Sequence, residues 1–353
     1  MSSINLKNLS MTIFGESHGI LVGGVVTGFP AGLKLNYEKI YEDVLRRKPG
    51  NDIYSTARKE TDEFEIVSGV LDGVTTGAPL CVIIKNSDSH STDYSYLKHT
   101  PRPSHSDYSA YLKYNGYNDI RGGGHFSGRL TAPVVVLGSI AKQYLEKEDI
   151  KVISHIYKVK EYCDKSFINA TDEEFLKIIS GKRTILDIED EILDEVKKAK
   201  EDGDSLGGCI ECAVLNMKKG IGGPLFEGLE GKLSQLIYAI PAVKAVEFGA
   251  GVDFLSGTGS SLNDLYEIKD GNVQTTSNNN GGILGGISNG ENLVLRATFK
   301  PTPSIFKEQK TVNLNSMSEE MLKIKGRHDP IVAFRGIPAL EGIVAFGILD
   351  SIL

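Results

Sequence analysis

Cysteine is scarce in this chain: four in 353 residues, irregularly spaced, are too few for a disulfide framework. Cys209 and Cys212 form one Cys-x-x-Cys, in GGCIECAVLN, but a zinc ribbon needs a second pair and the sequence has none. All four, Cys81 and Cys163 included, read as plain core thiols; Ile210, Cys212 and Val214 alternate as one face of a strand does. Long apolar runs are missing too. No stretch approaches the roughly 18 uninterrupted apolar residues of a membrane helix. The start, MSSINLKNLS, has neither the basic residues nor the apolar core of a signal peptide. The expectation is a soluble, cytoplasmic protein with no membrane partner. Positive charge is also in deficit. A net charge of −7 argues against nucleic acid as the main partner, because phosphate backbones select a basic face.

The positive charge that is present carries information through its placement. Of ten arginines, Arg46, Arg47, Arg58, Arg102, Arg121, Arg129, Arg327 and Arg335 lie in or beside segments rich in Gly, His, Ser or Pro; Arg183 and Arg296 lie elsewhere. The planar guanidinium suits bidentate contact with phosphate and carboxylate, so this distribution points to a small, multiply anionic ligand.

Local patterns place these segments. Asn36 is positioned to cap a helix in YEKIYEDVLRRKPG, where Tyr37, Ile40, Tyr41 and Val44 share a face and Pro49 and Gly50 stop it. Arg46, Arg47 and Lys48 then fall in its last turn, where either the helix dipole or a ligand accounts for them. EFEIVSGVLDGVTTGAPLCVIIKNS reads as strands and turns. Thr131 reads as the cap of a helix with Pro133 in its first turn and Val134, Leu137, Ala141 and Tyr144 as its apolar spacing. DIEDEILDEVKKAKEDG gives another helix, with Ile188, Ile192, Val196 and Ala199 on one stripe and a solvated charged face. SNNNGGILGGISNG fits either a flexible loop or a close backbone approach to a ligand. No Pro/Ser linker or repeat divides the chain, so a single α+β domain over residues 1–353 is the simplest account.

Chemistry concentrates around four histidines, His18, His105, His125 and His328, each in a polar setting flanked by glycine or proline. FGESHG packs Glu16, Ser17 and His18 between two glycines. RPSHSDY sets His105 near Arg102 and Asp107, and GRHDP brackets His328 with Arg327 and Asp329. These are acid, base and anion-binding groups of the kind that proton transfer on a charged substrate needs. In DIRGGGHFSGRLTAP three glycines allow close backbone approach, Ser127 adds a hydroxyl, Arg121 and Arg129 add charge, and a helix start follows: an anion site of amides and a dipole. It is neither a P-loop nor a dinucleotide fingerprint. FKPTPSIF adds Lys300, Thr302 and Ser304 on a proline-stiffened loop. A metal-dependent phosphohydrolase using His18, His105, His328 and Asp329 lacks the usual ligand spacing, and a hydrolase built on Ser17 lacks the Gly-x-Ser-x-Gly elbow. A lyase using histidines on a phosphate-bearing acid accounts for the arginines better; a non-catalytic binding module is the third possibility.

Nine segments, FGESHG, RRKPG, SGVLDGVTTGAP, RPSHSDY, DIRGGGHFSGR, GDSLGG, GGILGGIS, KPTPS and GRHDP, together resemble the chorismate synthase family, in the family's order and from about residue 10 to the C-terminus. The resemblance implies a lyase that converts 5-enolpyruvylshikimate 3-phosphate to chorismate and phosphate by anti 1,4-elimination, the last step of the shikimate pathway, with reduced FMN and no net oxidation. NADPH enters only if the flavin is reduced in place. It implies a fold of helices sandwiched between two largely antiparallel four-stranded sheets, assembled as a homotetramer. Residue by residue, His18 resembles the histidine facing the departing phosphate and His105 the one that sets flavin protonation. Asp329 resembles the carboxylate that helps remove the carbon 6 proton, and Ser17 and Ser127 the supporting hydroxyls. Arg46, Arg47, Arg121, Arg129 and Arg327 are the candidates for substrate anions. FMN contacts are implied for His125, Phe126, Ser127, Gly285, Lys300, Pro301, Thr302, Pro303, Ser304 and Arg327, with Pro241 and Ala242 beside them; no metal is implied. Two departures stand out: many members have Arg-Ser-Ser-Ala-Arg where this chain has His125 to Arg129, and Ile53 stands near a place often basic, with Arg58 as a substitute. Residues 155–204, charged and variable, match least and are expected to pack outside the site.

Overall fold

The computed structural model describes residues 2–48, 62–86, 97–181, 184–324 and 328–353. Ile53 and Arg58 lie outside these, as does Arg327. Strands Ser3–Asn5, Ser10–Gly15, Leu21–Thr27, Leu80–Lys85 and Phe64–Ser68, in that spatial order, make one antiparallel sheet. A second sheet, also antiparallel throughout, runs Val243–Phe248, Leu293–Phe299, Gly208–Leu215, Lys151–Val159 and Tyr162–Cys163. The expected α+β sandwich is therefore present, with one correction: each sheet has five strands, because a short edge strand, Ser3–Asn5 or Tyr162–Cys163, is added to four longer ones.

Side-chain alternation explains how both sheets are used. Ile210, Cys212 and Val214 join the main apolar core, as their spacing predicts. Between them Ala213, and beyond them Leu215, face the other way into a smaller cluster with Phe167, Phe175 and Ile178. That cluster fastens the helix Asp172–Ile179 to the outer face of the second sheet. Its start is a reciprocal capping box between Thr171 and Glu174.

Three helices matter most for the site: α1 (Tyr37–Arg47), α2 (Thr131–Lys147) and α3 (Ala333–Ile352). Asn36 caps α1 as expected, its side chain accepting from Lys39 N at 3.2 Å. Thr131 does not cap α2. A short helical turn, Gly128–Leu130, precedes it, and Ser127 caps that turn by accepting from Arg129 N, while the Thr131 hydroxyl donates back to Gly128 O at 2.7 Å. Helix α2 packs on strands Leu21–Thr27 and Leu80–Lys85, α3 on Lys151–Val159 and Gly208–Leu215, and the two helices pack on each other between the sheets. Apolar almost all round and buried from Ala333 through Asp350 except at Arg335, α3 is the central rod of the fold. Where it meets α2 the backbones touch: a Cβ added at Gly138 lies 2.2 Å from Gly342 Cα.

Four charges meet among these helices: the carboxylates of Asp43 and Glu341 are buried, Lys142 is half-buried, and Arg46 reaches in from the exposed side. Arg46 of α1 makes a bidentate pair with Glu341 of α3, 2.7 Å on each side, and Lys142 of α2 donates to Glu341 at 2.9 Å and to Asp43 at 3.0 Å. Two cations and two anions balance, which is the condition for burying charge.

A second buried cluster sits in the second sheet, where His155 lies between Asp164, 3.0 Å from Nδ1, and Glu211, 3.2 Å from Nε2. Burial alone would lower its pKa, but the two carboxylates raise it. A raised folded-state pKa gives stability that is complete below the unfolded value, about 6.5, and is lost as pH rises through the folded one. The melting temperature should accordingly fall from pH 6.5 upward, and fall less in His155→Gln; parallel profiles for the two proteins over that range would disprove this role.

Candidate active site

A cleft of about 550 Å³ opens beside the N-terminal ends of α2 and α3. Its walls come from Arg47 at the end of α1, the Arg102–Ser106 loop, the loop ahead of α2, the segment Tyr238–Lys244, the loop after strand Leu293–Phe299, and His328 with Asp329 ahead of α3. Chain segments remote in sequence thus deliver His105, His125, Phe126, Ser127, Arg47, Arg129, Lys300, Thr302, Pro303, Ser304, Asp329, Pro241 and Ala242 to one place.

The triple glycine is explained by its backbone. Gly122, Gly123 and Gly124 have φ of 59°, 86° and 55°, three successive left-handed residues that only glycine adopts without strain. The close approach they permit is to the protein itself. A Cβ at Gly122 would lie 2.5 Å from His18 Cδ2 and 2.8 Å from Ser17 Oγ, and one at Gly124 would lie 1.9 Å from Asp119 O. Ser17 N donates to Gly124 O at 3.1 Å. Ser17 and His18 are therefore buried directly behind Gly122, which itself lines the cleft. The Ser17 hydroxyl is buried with no hydrogen-bond partner among the described residues.

His105 is oriented by its own loop. Its Nδ1 stands 2.6 Å from Asp107 Oδ1 and 3.2 Å from Arg102 Nη2; the shorter, carboxylate contact assigns the proton to Nδ1 and leaves Nε2 as an acceptor. Arg102 fixes that carboxylate with Nε at 2.7 Å and Nη2 at 2.8 Å, and reaches Ser304 Oγ at 3.2 Å. Burial lowers the His105 pKa, the Asp107 contact opposes this, and Arg102 and Lys300 add to the lowering, so the ring is neutral at pH 7. Burial pushes the Asp107 carboxyl up, but hydrogen bonds from Arg102 and His105 outweigh it and hold the group below the usual range. Lys300 donates to Ser104 O, and burial with Lys244 nearby lowers its pKa. The Thr302 hydroxyl is buried at the cleft without a partner among the described residues, while Ser205 of GDSLGG donates to Thr302 O at 2.7 Å and steadies the loop.

Opposite, Arg335 in the first turn of α3 donates to Asp329 Oδ2 at 2.5 Å and to the Arg47 carbonyl at 2.8 Å. Arg47 and Arg129 share a buried carboxylate, Asp62. Burial opposes its ionisation, yet the two guanidiniums pull its pKa down to about 2. His125 is oriented by Gly15: a carbonyl only accepts, so Nδ1, 2.7 Å away, donates, and Nε2 meets Ser2 Oγ. The imidazole thus ties the glycine loop to the strand leading into the Ser17–His18 turn.

Several expected residues lie elsewhere. Arg46 points away from the cleft into its pair with Glu341, since successive helical residues diverge by about 100°. Arg121 is partly exposed and bound bidentately to Asp119 at 2.8 and 2.9 Å, outside the cleft. Pro301 turns outward, although its neighbours line the cleft. Gly285 is at the tip of a hairpin, with nothing within 4 Å of an added Cβ; its neighbour Gly286 packs against Gly223 and Gly228, at the start of the helix Leu229–Ile237, whereas the cleft lies at that helix's other end. SNNNGG is likewise a tied loop: Asp264 accepts from Ser277, Asn279 and Asn280, and a Cβ at Gly249 would lie 2.0 Å from Asn279 O. Sequence reading missed Asp62 and Asn86, and it counted Arg335 among the clustered arginines without giving it a role in the site. A signal existed only for Arg335, six residues beyond Asp329 across a helix start.

Helices between two antiparallel sheets, with histidines, arginines and a lysine facing one cleft, define an enzyme that acts on a small molecule. The sequence profile of chorismate synthase matches residues 9–353. The chain is 44% identical over 347 residues to the chorismate synthase of Thermococcus kodakarensis, covering 98% of this chain and 96% of that protein, and 43% identical over 350 residues to that of Pyrococcus abyssi, with the same coverage. A solved structure, described as the crystal structure of chorismate synthase, superposes with a TM-score of 0.76 at 26% identity, covering 99% of this chain and 93% of that one. The chain belongs to the chorismate synthase family.

Proposed function

We propose that the protein converts 5-enolpyruvylshikimate 3-phosphate to chorismate and phosphate by anti 1,4-elimination, with reduced FMN as cofactor. The observation that carries this reading is the meeting of a neutral histidine, His105, a carboxylate, Asp329, and the cations Arg47, Arg129 and Lys300 around one cleft. The partnerless Thr302 hydroxyl, between Lys300 and Ser304, fits a phosphate-bearing cofactor. Reduced FMN, when bound, supplies electron density as the phosphate leaves. In the reaction the carbon–oxygen bond to phosphate breaks, the carbon 6 proton departs, and no net oxidation results. Arg47 and Arg129 bind substrate anions; Ser17 and His18, behind Gly122, serve the leaving phosphate; Ser127 supports them with its hydroxyl. Asp329, oriented by Arg335, takes up the carbon 6 proton, and the neutral His105, with Nε2 left as an acceptor, would set the protonation of the bound cofactor. His125, Phe126, Lys300, Thr302, Pro303 and Ser304 would hold the cofactor.

The protein works in the cytoplasm as a homotetramer on this reading. Assembly would cover the apolar side chains that stand out from the surface, among them Leu225, Phe226, Tyr266, Ile268 and Val273. Anaerobic measurement of phosphate release tests the chemistry. Turnover is expected with reduced FMN and not with oxidised FMN alone; turnover without flavin, or dependence on a divalent metal, would sink the reading.

A further inference from the structure

Behind the cleft wall, Asp62 and Asn86 connect parts of the site that the sequence keeps far apart. Neither lines the cleft. Asp62 is 1% exposed and gives one oxygen to each arginine: Oδ2 accepts from Arg47 Nη2 at 2.5 Å and Oδ1 from Arg129 Nη1. Asn86 uses both halves of its amide. Oδ1 accepts from Arg129 Nε at 2.9 Å, while Nδ2 donates to the carbonyls of Glu16 and Gly19 at 3.0 and 2.9 Å. The orientation of that amide is determined, because a guanidinium only donates and carbonyls only accept. The turn so gripped is the one that carries Ser17 and His18. A continuous polar path runs from the histidine turn through Asn86, Arg129 and Asp62 to Arg47.

We propose that Asp62 and Asn86 are positioning residues of the anion site: Asp62 joins Arg47 and Arg129 into one two-armed clamp, and Asn86 sets that clamp in register with His18. The proposal rests on the reading above in giving the clamp and His18 a common substrate. Two guanidiniums side by side repel; a carboxylate between them, one oxygen to each, lets both present charge to the same ligand. Clamping them before the ligand arrives removes part of the cost of ordering two long side chains on binding. Asp62 does not act as a displaceable stand-in for substrate, since its side chain has no exposed surface and cannot swing away without opening the wall.

Asp62→Asn and Asn86→Asp, made in the full chain, test this. Asparagine at 62 sets an NH₂ group against one guanidinium, donor to donor. The dissociation constant for inorganic phosphate, read by calorimetry, should rise about tenfold to a hundredfold, the scale of a charged hydrogen bond, and KM should rise by more than kcat falls. Aspartate at 86 keeps an oxygen for Arg129 but loses both donors to the histidine turn. Phosphate affinity should then stay within about threefold, while kcat falls about tenfold to a hundredfold, as for a misplaced catalytic group. Phosphate affinity and KM within twofold of the unsubstituted chain in Asp62→Asn, or kcat within twofold in Asn86→Asp, would overturn the proposal. If Asp62→Asn fails to fold, Asn86→Asp alone decides. Turnover by the unsubstituted chain with neither variant altered removes the positioning role and leaves the elimination chemistry standing. No turnover, with phosphate binding that Asp62→Asn weakens, removes the chemistry and keeps the clamp.

Discussion

Replacing His18 by alanine is expected to lower kcat by about 10² to 10⁴-fold, the range of lost acid or base assistance. The ring lies against Gly122 with only 6% of the residue exposed, so proton chemistry from it reaches the cleft across that one residue. Alanine also leaves a gap under the glycine loop. His18→Gln, which restores much of the volume without the imidazole, separates the two effects. A loss as large in glutamine as in alanine assigns the effect to the imidazole, whereas recovery in glutamine assigns it to support of Gly122. Anaerobic phosphate release with reduced FMN provides the rates, and near-normal kcat in both variants would remove His18 from the chemistry altogether.

Glu341→Ala is expected to cost about 1.5 to 3 kcal/mol of stability, the scale of hydrogen bonds to a charged group, because the carboxylate is buried while its partner Arg46 keeps contact with solvent. Arg46, partly exposed, and Lys142, half-buried, would be left with Asp43 as the remaining carboxylate of the cluster. Burial opposes ionisation of Glu341, but Arg46 and Lys142 lower its pKa from 4.5 to about 2. The sign follows: a depressed carboxylate pKa gives stability above the unfolded value that is lost as pH falls from 4.5 toward 2. Urea unfolding at pH 7 and pH 3 checks both parts. The gap between the original chain and the variant should be wide at pH 7 and narrower at pH 3; a difference under about 1 kcal/mol at pH 7 would show that the cluster is dispensable, as for exposed pairs.

Arg46 and Arg47 show what the sequence can and cannot convey. Helix, cap and end were legible from Asn36, the apolar spacing and Pro49. Which of two adjacent arginines faces the cleft depends on where Glu341 sits on another helix, and no local pattern records that. The site loops were legible because glycine runs, histidines and prolines are locally unusual. Asp62 and Asn86 were not, since one carboxylate and one amide at the ends of strand-like runs look like ordinary surface residues until the fold brings them to Arg129. The glycines of RGGG were recognised as a close approach, but to an assumed ligand; the neighbour is His18. The resemblance supplied identities and roles, and it could not supply the outward turn of Pro301 or the distance of Gly285 from the cleft.

The backbone contact between Gly138 and Gly342 has a consequence for the cleft. Helices α2 and α3 both start at the cleft, and the contact lies seven and nine residues into them, roughly 10 and 13 Å along their axes. The loop with Ser127 and Arg129 hangs from one rod, and the other carries Arg335 in its first turn with Asp329 just ahead of it. Two glycines thus act as a common bearing for both jaws of the site, and a single methyl group there would be felt as a change in the width of the cleft.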